Sequence, residues 1–204
     1  MKYHFYQPAT GHNLPHDPFN AIIAPRPIGW ISSQDEQGNV NLAPYSFFNA
    51  FNYTPPIIGF SSVGYKDSLK NIEQTGEFCW NLVTVPLADA MNKTSAMVEA
   101  GEDEFTLAGL EKRTSSTVKV PHVAKSPVVM ECRKTQILRL TDKNGNDCDT
   151  WMVFGEVTGV HIDKAMLKEG IYQTAQAKPL LRGGGPGDYF TVTEAQKSVM
   201  MRPD

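Results

Sequence analysis

Two long runs, "VVMECRKTQILRLT" (128–141) and "TWMVFGEVTGVHI" (150–162), flank the segment "DKNGND". Asn144-Gly145 supplies the residue pair that most readily takes positive φ in a tight hairpin turn, so the two runs form a long antiparallel hairpin. A second hairpin precedes it. "AIIAPRPIGWISSQ" and "VNLAPYSFFNAF" are extended runs on either side of "DEQGN". Arg26-Pro27 and Ala43-Pro44 each set a proline inside these runs; proline donates nothing to a ladder, so both points belong at edges or bulges. "IIGFSS" reads as a further strand. In "EFCWNLV", Phe78, Trp80 and Leu82 alternate onto one face of another. Between them "KDSLKNIEQTG" is a short helix that presents Leu69 and Ile72 and stops at Gly76. "PLADAMNKTSAMV" is a second helix, with Pro86 in its first turn. Hairpin joins without a βαβ rhythm predict a mainly β fold with helical insertions, an antiparallel barrel.

Other classes are excluded by composition. At 204 residues, with 41% hydrophobic, 10% aromatic and 20% charged residues, the chain supports one sizeable core and is neither fibrous nor mainly disordered. The net charge of −3 and the scatter of Lys and Arg offer no stripe for nucleic acid. Apolar runs are short and broken by Pro or Gly, so no membrane span is expected, and "MKYHFYQPATGHN" has no signal-peptide core. Cys79, Cys132 and Cys148 form no CxxC and leave an odd count, which favours a reducing cytoplasm.

The segment from Pro44 to Asn71 carries the chemistry. Ser61 and Ser62 end a strand, and Lys66, Asp67 and Ser68 open a helix a few residues later. A helix start offers unpaired N–H groups and partial positive charge, a ready site for phosphate, to which Lys66 adds a full charge. The plainer alternative is that Asp67 or Ser68 caps the helix while Lys66 is solvated. "RGGGPGDY" (182–189) has the glycines of a dinucleotide loop, but the strand-like "YFTVT" follows it where that motif needs a helix, so it is read as a turn. His12 and His16 have helical spacing spoiled by Pro15, and no metal motif is present. No GxSxG and no activated cysteine marks a nucleophile, so no catalytic residue is singled out. Asp103 and Glu104 are read as a solvated turn.

The stretch "APRPIGWISSQDEQGNVNLAPYSFFNAFNYTPPIIGFSSVGYKDSLKNIEQTGEF" resembles the core of the flavin reductase-like, FMN-binding split-barrel family, its flavoredoxin-type branch in particular. The likeness continues through "NKTSA", "DEFTLAGL", "SPVVMEC" and "GEVTGVHID" to "KPLLRGGGPGDYFTV", roughly Asp17 to Val192. It implies a Greek-key-like split β-barrel, a single domain over residues 1–204, that forms a homodimer and holds FMN without a covalent bond. By the same resemblance Ser32, Ser33, Ser61, Ser62, Lys66 and Ser68 face the phosphate and ribityl chain. Ala43, Pro44, Tyr45, Ser46 and Phe47 run along the isoalloxazine; Asn49 and Asp67 are as much structural as liganding. The family pattern Gly-Asp-His is broken in "CDTWMVFGEV", where Asp149 survives and Thr150 stands in the histidine position. The implied activity is a cytoplasmic FMN-dependent oxidoreductase fed by NADH, NADPH or a protein donor. The alternatives are a flavoredoxin-like electron carrier without small-molecule turnover, and a barrel that binds another ligand such as haem.

Overall fold

The computed structural model describes residues 1–99 and 101–203. The long hairpin is its spine: β9 (Val128–Thr141) pairs antiparallel with β10 (Asp147–Ile162), and the turn contains Gly145 at φ 86°. Three register shifts interrupt this pair, and irregularities of this kind add twist and help the sheet to curl. Around it stand β2 (Gly29–Gln34), β3 (Val40–Tyr45), β4 (Phe48–Asn52), β5 (Ile57–Val63) and β6 (Glu77–Asn81). Together they make one seven-stranded sheet in the order β3-β2-β6-β9-β10-β5-β4, curled into a half-barrel. Pro44 lies on the edge strand β3, as proline's missing donor requires. β1 (Arg26–Pro27) pairs instead in a small separate sheet with β13 (Leu180–Arg182), which is joined to β14 (Tyr189–Thr191) by the "GGGPGD" turn. Shorter pairs are β7 (Lys112–Arg113) with β8 (His122–Val123), and β11 (Leu167–Lys168) with β12 (Ile171–Tyr172).

The helices are α1 (Phe19–Ile22), α2 (Asp67–Thr75), α3 (Ala88–Lys93) and α4 (Glu104–Ala108). Gly76 closes α2 in the left-handed region, at φ 72°. The second expected helix is shorter than its sequence run. It begins as a 3-10 turn at Val85–Leu87 and ends at Lys93; beyond it, the Thr94 hydroxyl accepts from Trp30 Nε1 and donates to Met91 O. The reading of Asp103 and Glu104 as a solvated turn is also corrected. Asp103 caps α4 by accepting from the Phe105 and Thr106 N–H groups and pairs with Lys112, while Glu104 is buried.

The core has two main layers. Ile31, Phe60, Leu69, Ile72, Phe78, Trp80 and Val153 pack between the sheet and α2. Trp30, Leu42, Val83, Met91, Phe105 and Val123 pack against α3 and α4. Because Ile31 serves one layer and Trp30 the other, β2 is covered on both faces, which decides the fate of its serines. In the first layer Gly155 of β10 is obligatory, since a Cβ there would collide with the buried Phe78 ring.

Candidate functional site

A cavity of about 450 Å³ opens where β3, the end of β5, the start of α2, the segment after α3 and the start of α4 converge. This is the size of a pocket for a small-molecule cofactor. β3 contributes Ala43, Pro44 and Tyr45, and Ser46 and Phe47 follow it; β5 brings Ser61 and Val63, and the α2 start brings Lys66, Asp67 and Ser68. Eight residues expected from the sequence (Ala43, Pro44, Tyr45, Ser46, Phe47, Ser61, Lys66 and Ser68) thus share one cavity, although they come from three elements.

The other three do not line it. Ser32 and Ser33 are fully buried: Ser32 Oγ accepts from Asn81 Nδ2 at 3.3 Å, and Ser33 Oγ accepts from Asn71 Nδ2 at 3.3 Å. Ser62 is buried too, and its hydroxyl donates to Gly64 O at 2.9 Å. The reason is physical. β2 is sandwiched between two core layers, so its hydroxyls bind internal amides. Ser62 points to the opposite face from Ser61 by the two-residue period of a strand.

The start of α2 is free for a ligand. Lys66 occupies the N-cap position, and no side chain caps the helix. The plainer reading, a cap by Asp67 or Ser68, is therefore excluded. Asn41 meets Ser68 Oγ at 2.7 Å; with its amide turned so that the oxygen accepts there, its nitrogen donates to Glu104 Oε1 at 3.1 Å. Lys66 makes no ion pair among the described residues. A helix N-terminus with unpaired N–H groups and an unpaired ammonium beside it can hold a phosphate.

The remainder of the cavity suits a flat ring. Phe47, Val63, Met97 and Val98 are exposed apolar side chains in its lining. The carbonyls of Ser46 and Phe47 are already satisfied, by Arg26 Nε at 3.0 Å and by the Ser61 N–H at 2.9 Å, which fixes this segment against the sheet. Arg26 also lies over the Phe47 ring at 5.5 Å. The Tyr45 hydroxyl is buried beside Ser62 and Ser68 without a well-formed hydrogen bond among the described residues, and burial pushes its pKa up. An orphaned hydroxyl among the lining residues, an uncapped helix start and an apolar rim together fit a group with a phosphate at one end and an aromatic system at the other.

Sequence reasoning missed Glu104 and the wall formed by residues 94–98. Glu104 Oε2 accepts from the Leu42 N–H at 2.9 Å, across 62 positions of sequence. Its carboxyl is raised above the usual range, mainly by burial, with the fields of Asp67 and Asp103 adding to it. Only the acidic pair 103–104 hinted at a role, and its position in the chain favoured a solvated turn. Thr150 pairs with Val63 and so stands beside the cavity wall. The loop 183–188 lies elsewhere, wrapped around the Arg182 guanidinium, which donates to the carbonyls of Gly185 and Asp188. It is a turn.

Comparison with known proteins agrees with this geometry. The protein-family model of the flavin reductase like domain matches residues 23–181. An uncharacterized protein of Deinococcus radiodurans is 33% identical over 198 residues, covering 91% of this chain and 84% of that one. Among solved structures, nitrilotriacetate monooxygenase component B from Bacillus cereus is similar at TM-score 0.81 and 28% identity, covering 89% of this chain and 90% of its own. The 2-nitrobenzoate 2-nitroreductase of Pseudomonas fluorescens aligns at TM-score 0.79 and 27% identity, over 91% of this chain and 88% of its own. With its half-barrel sheet and a family match that spans most of its length, the chain belongs to the flavin reductase-like domain family.

Proposed function

We propose that the protein is an FMN-dependent oxidoreductase, a cytoplasmic homodimer that takes electrons from NADH, NADPH or a protein donor. The observation that carries this reading is the uncapped start of α2, with Lys66 unpaired beside it, in a cavity whose rim is apolar. Lys66, Ser61 and Ser68 would hold the phosphate, and the Ala43 to Phe47 segment would support the ring system. When bound, FMN would supply the hydride and electron transfer at its isoalloxazine, so the protein's task is to orient and shield. Arg26 and the Ser61 N–H keep the Ser46-Phe47 backbone in place, while Phe47, Val63, Met97 and Val98 limit water at the ring face. Glu104, with its raised pKa, and the unpartnered Tyr45 hydroxyl can each offer a hydrogen bond within the cavity. The family relatives, a monooxygenase component and a nitroreductase, support redox chemistry of this class.

A second reading has its own observation. Among the described residues no histidine or cysteine lines the cavity, and Thr150 stands next to Val63 where the resemblance places a histidine. That favours an electron carrier that a nicotinamide does not reduce directly. Anaerobic mixing of the FMN-loaded protein with NADH and, separately, NADPH separates the two. Rapid bleaching of the flavin absorbance by either nicotinamide is expected. Absence of bleaching by both, in protein that dithionite still reduces, establishes the carrier instead.

The dimer rests on the open sheet. β3 and β4 are its unpaired edges, and Phe51 and Tyr53 are exposed at the β4 side. An exposed apolar edge is a surface for a partner, and two copies related by a two-fold axis would cover it symmetrically. Sedimentation equilibrium should give twice the chain mass. A monomer that keeps FMN tightly bound would contradict it.

A further inference from the structure

A second cavity, of about 720 Å³, lies at the other end of β10 and shares no residue with the first. Met152 pairs with Ser61 beside the first cavity, and His161 lines the second, so the two are roughly 30 Å apart along the strand at about 3.3 Å per residue. The walls of the second are Arg113 of β7, His122 of β8, the Ala124–Pro127 loop, Val129 of β9 and the segment Val160–Asp163. Arg113, Lys125, His122 and His161 make its charged lining basic, and Asp163 is the one acid among the lining residues. That acid is already engaged, since Asp163 Oδ1 accepts from the Ala165 N–H at 2.9 Å.

His161 is taken up by the buried Glu131, but the other three basic groups are not parts of internal ion pairs. Arg113 and Lys125 are exposed and make neither an ion pair nor a side-chain hydrogen bond among the described residues. His122 is 2% exposed, yet its Nε2 has no hydrogen-bond partner among the described residues. A buried nitrogen left in that state asks for a partner that the protein itself does not provide. Beneath the cavity, Glu131 is fully buried, but its charge is met by the N–H groups of Ser116 and Thr117, the Thr117 hydroxyl and His161 Nε2. It does not line the cavity, where the unpaired positive charges are those of Arg113 and Lys125. The His122 and His161 rings lie 5.1 Å apart. No group of three or more His, Cys, Asp or Glu among the described residues is placed to hold a metal ion.

We propose that this second cavity binds a small organic anion through a phosphate or carboxylate group, held by Arg113 and Lys125 at the rim and by His122 within. The planar guanidinium of Arg113 suits either oxyanion. The state of His122 adds a consequence. Its Nδ1 faces the Val123 carbonyl at 3.4 Å, so Nε2 donates to an anion only when the ring carries both protons. Burial, and the charges of His161 and Arg113, favour the neutral ring without a ligand, whereas the Val123 carbonyl and Glu131 act the other way. An anion placed against Nε2 would tip this balance, taking up a proton from solvent as it binds. Affinity should then rise as pH falls. Asp163 stays occupied by its cap.

The test uses the full chain, without flavin chemistry, and reads the imidazole resonances of its five histidines by NMR. Inorganic phosphate and succinate are titrated separately at pH 8 and pH 6. Saturable shifts of His122 and His161, with His4, His12 and His16 unmoved, are expected for at least one of the two. Affinity should be higher at pH 6. The probe that binds more tightly identifies the preferred oxyanion. Arg113→Ala, at an exposed position that does not endanger folding, should lower affinity at least tenfold, and Lys168→Ala should leave it unchanged. Shifts that do not saturate, that affect all five histidines alike, or that persist unweakened in Arg113→Ala would overturn the proposal.

Discussion

Glu104 in the first cavity and Glu131 beneath the second are both buried glutamates, and their carboxyls are driven in opposite directions. Glu104 receives the Leu42 N–H and the turned Asn41 amide, but it shares its surroundings with Asp67 and Asp103, so burial dominates and its pKa rises. For Glu131, burial also acts upward, but hydrogen bonds from His161, Thr117 and Ser116 outweigh it and bring the pKa down to about 2. Both side chains are shielded from solvent; the difference lies in the balance of donors, four hydrogen bonds meeting Glu131 against fewer donors and two nearby aspartates at Glu104. One glutamate is built into the architecture as an anion. The other is a group in the candidate cofactor site that is held closer to its neutral form.

The largest effect should follow from removing the anion. Glu131→Ala strips partners from His161, Ser116 and Thr117 at once, and the expected loss is about 3–5 kcal/mol in denaturant unfolding. A loss below about 1 kcal/mol would mean that the donors re-pair with water and that the contrast with Glu104 is illusory. The same pair gives a pH signature. Since the folded pKa of Glu131 lies below its ordinary 4.5, its contribution is present above that value and is lost as pH falls toward about 2. Roughly 2–3 kcal/mol of acid-dependent stability should vanish in the alanine variant.

Glu104→Gln should have the smaller effect and the opposite sign. With its folded pKa raised, wild-type Glu104 weakens the fold as pH rises through the carboxyl range, and glutamine removes that slope. The variant should therefore match wild type near pH 4 and exceed it slightly, by less than about 1 kcal/mol, near pH 8. Thermal unfolding at the two pH values measures this. Equal destabilisation at both would show that the Leu42 hydrogen bond, and not charge burial, is what matters at that position.

The same contrast explains how much could be read from sequence. Hairpins are local, so the Asn144-Gly145 turn, the α2 stop at Gly76 and the edge position of Pro44 were legible from their own neighbours. The sequence segment from Ala43 to Ser68 supplies much of the cavity lining, so that grouping could be read from one contiguous stretch. Ser32 and Ser33 lie outside the cavity, and nothing in "ISS" tells that β2 is covered on both faces by elements as distant as Phe78 and Phe105. Glu104 was missed for the same reason, its partner Leu42 being 62 positions away. Nor could spacing join His161 to Glu131, which only the β9–β10 register brings together. Long-range pairing decides burial, and burial decides whether a polar residue binds the protein or a ligand.

The central claim is that the uncapped start of α2, with Lys66, is a phosphate site for FMN. Equilibrium titration of wild type and Lys66→Ala with FMN and with riboflavin tests it most directly, because riboflavin shares the ring and lacks the phosphate. The variant should bind FMN about 1.5–3 kcal/mol more weakly, the usual worth of a charged hydrogen bond, and should bind riboflavin as wild type does. Unchanged FMN affinity, or an equal loss for both ligands, would contradict the assignment.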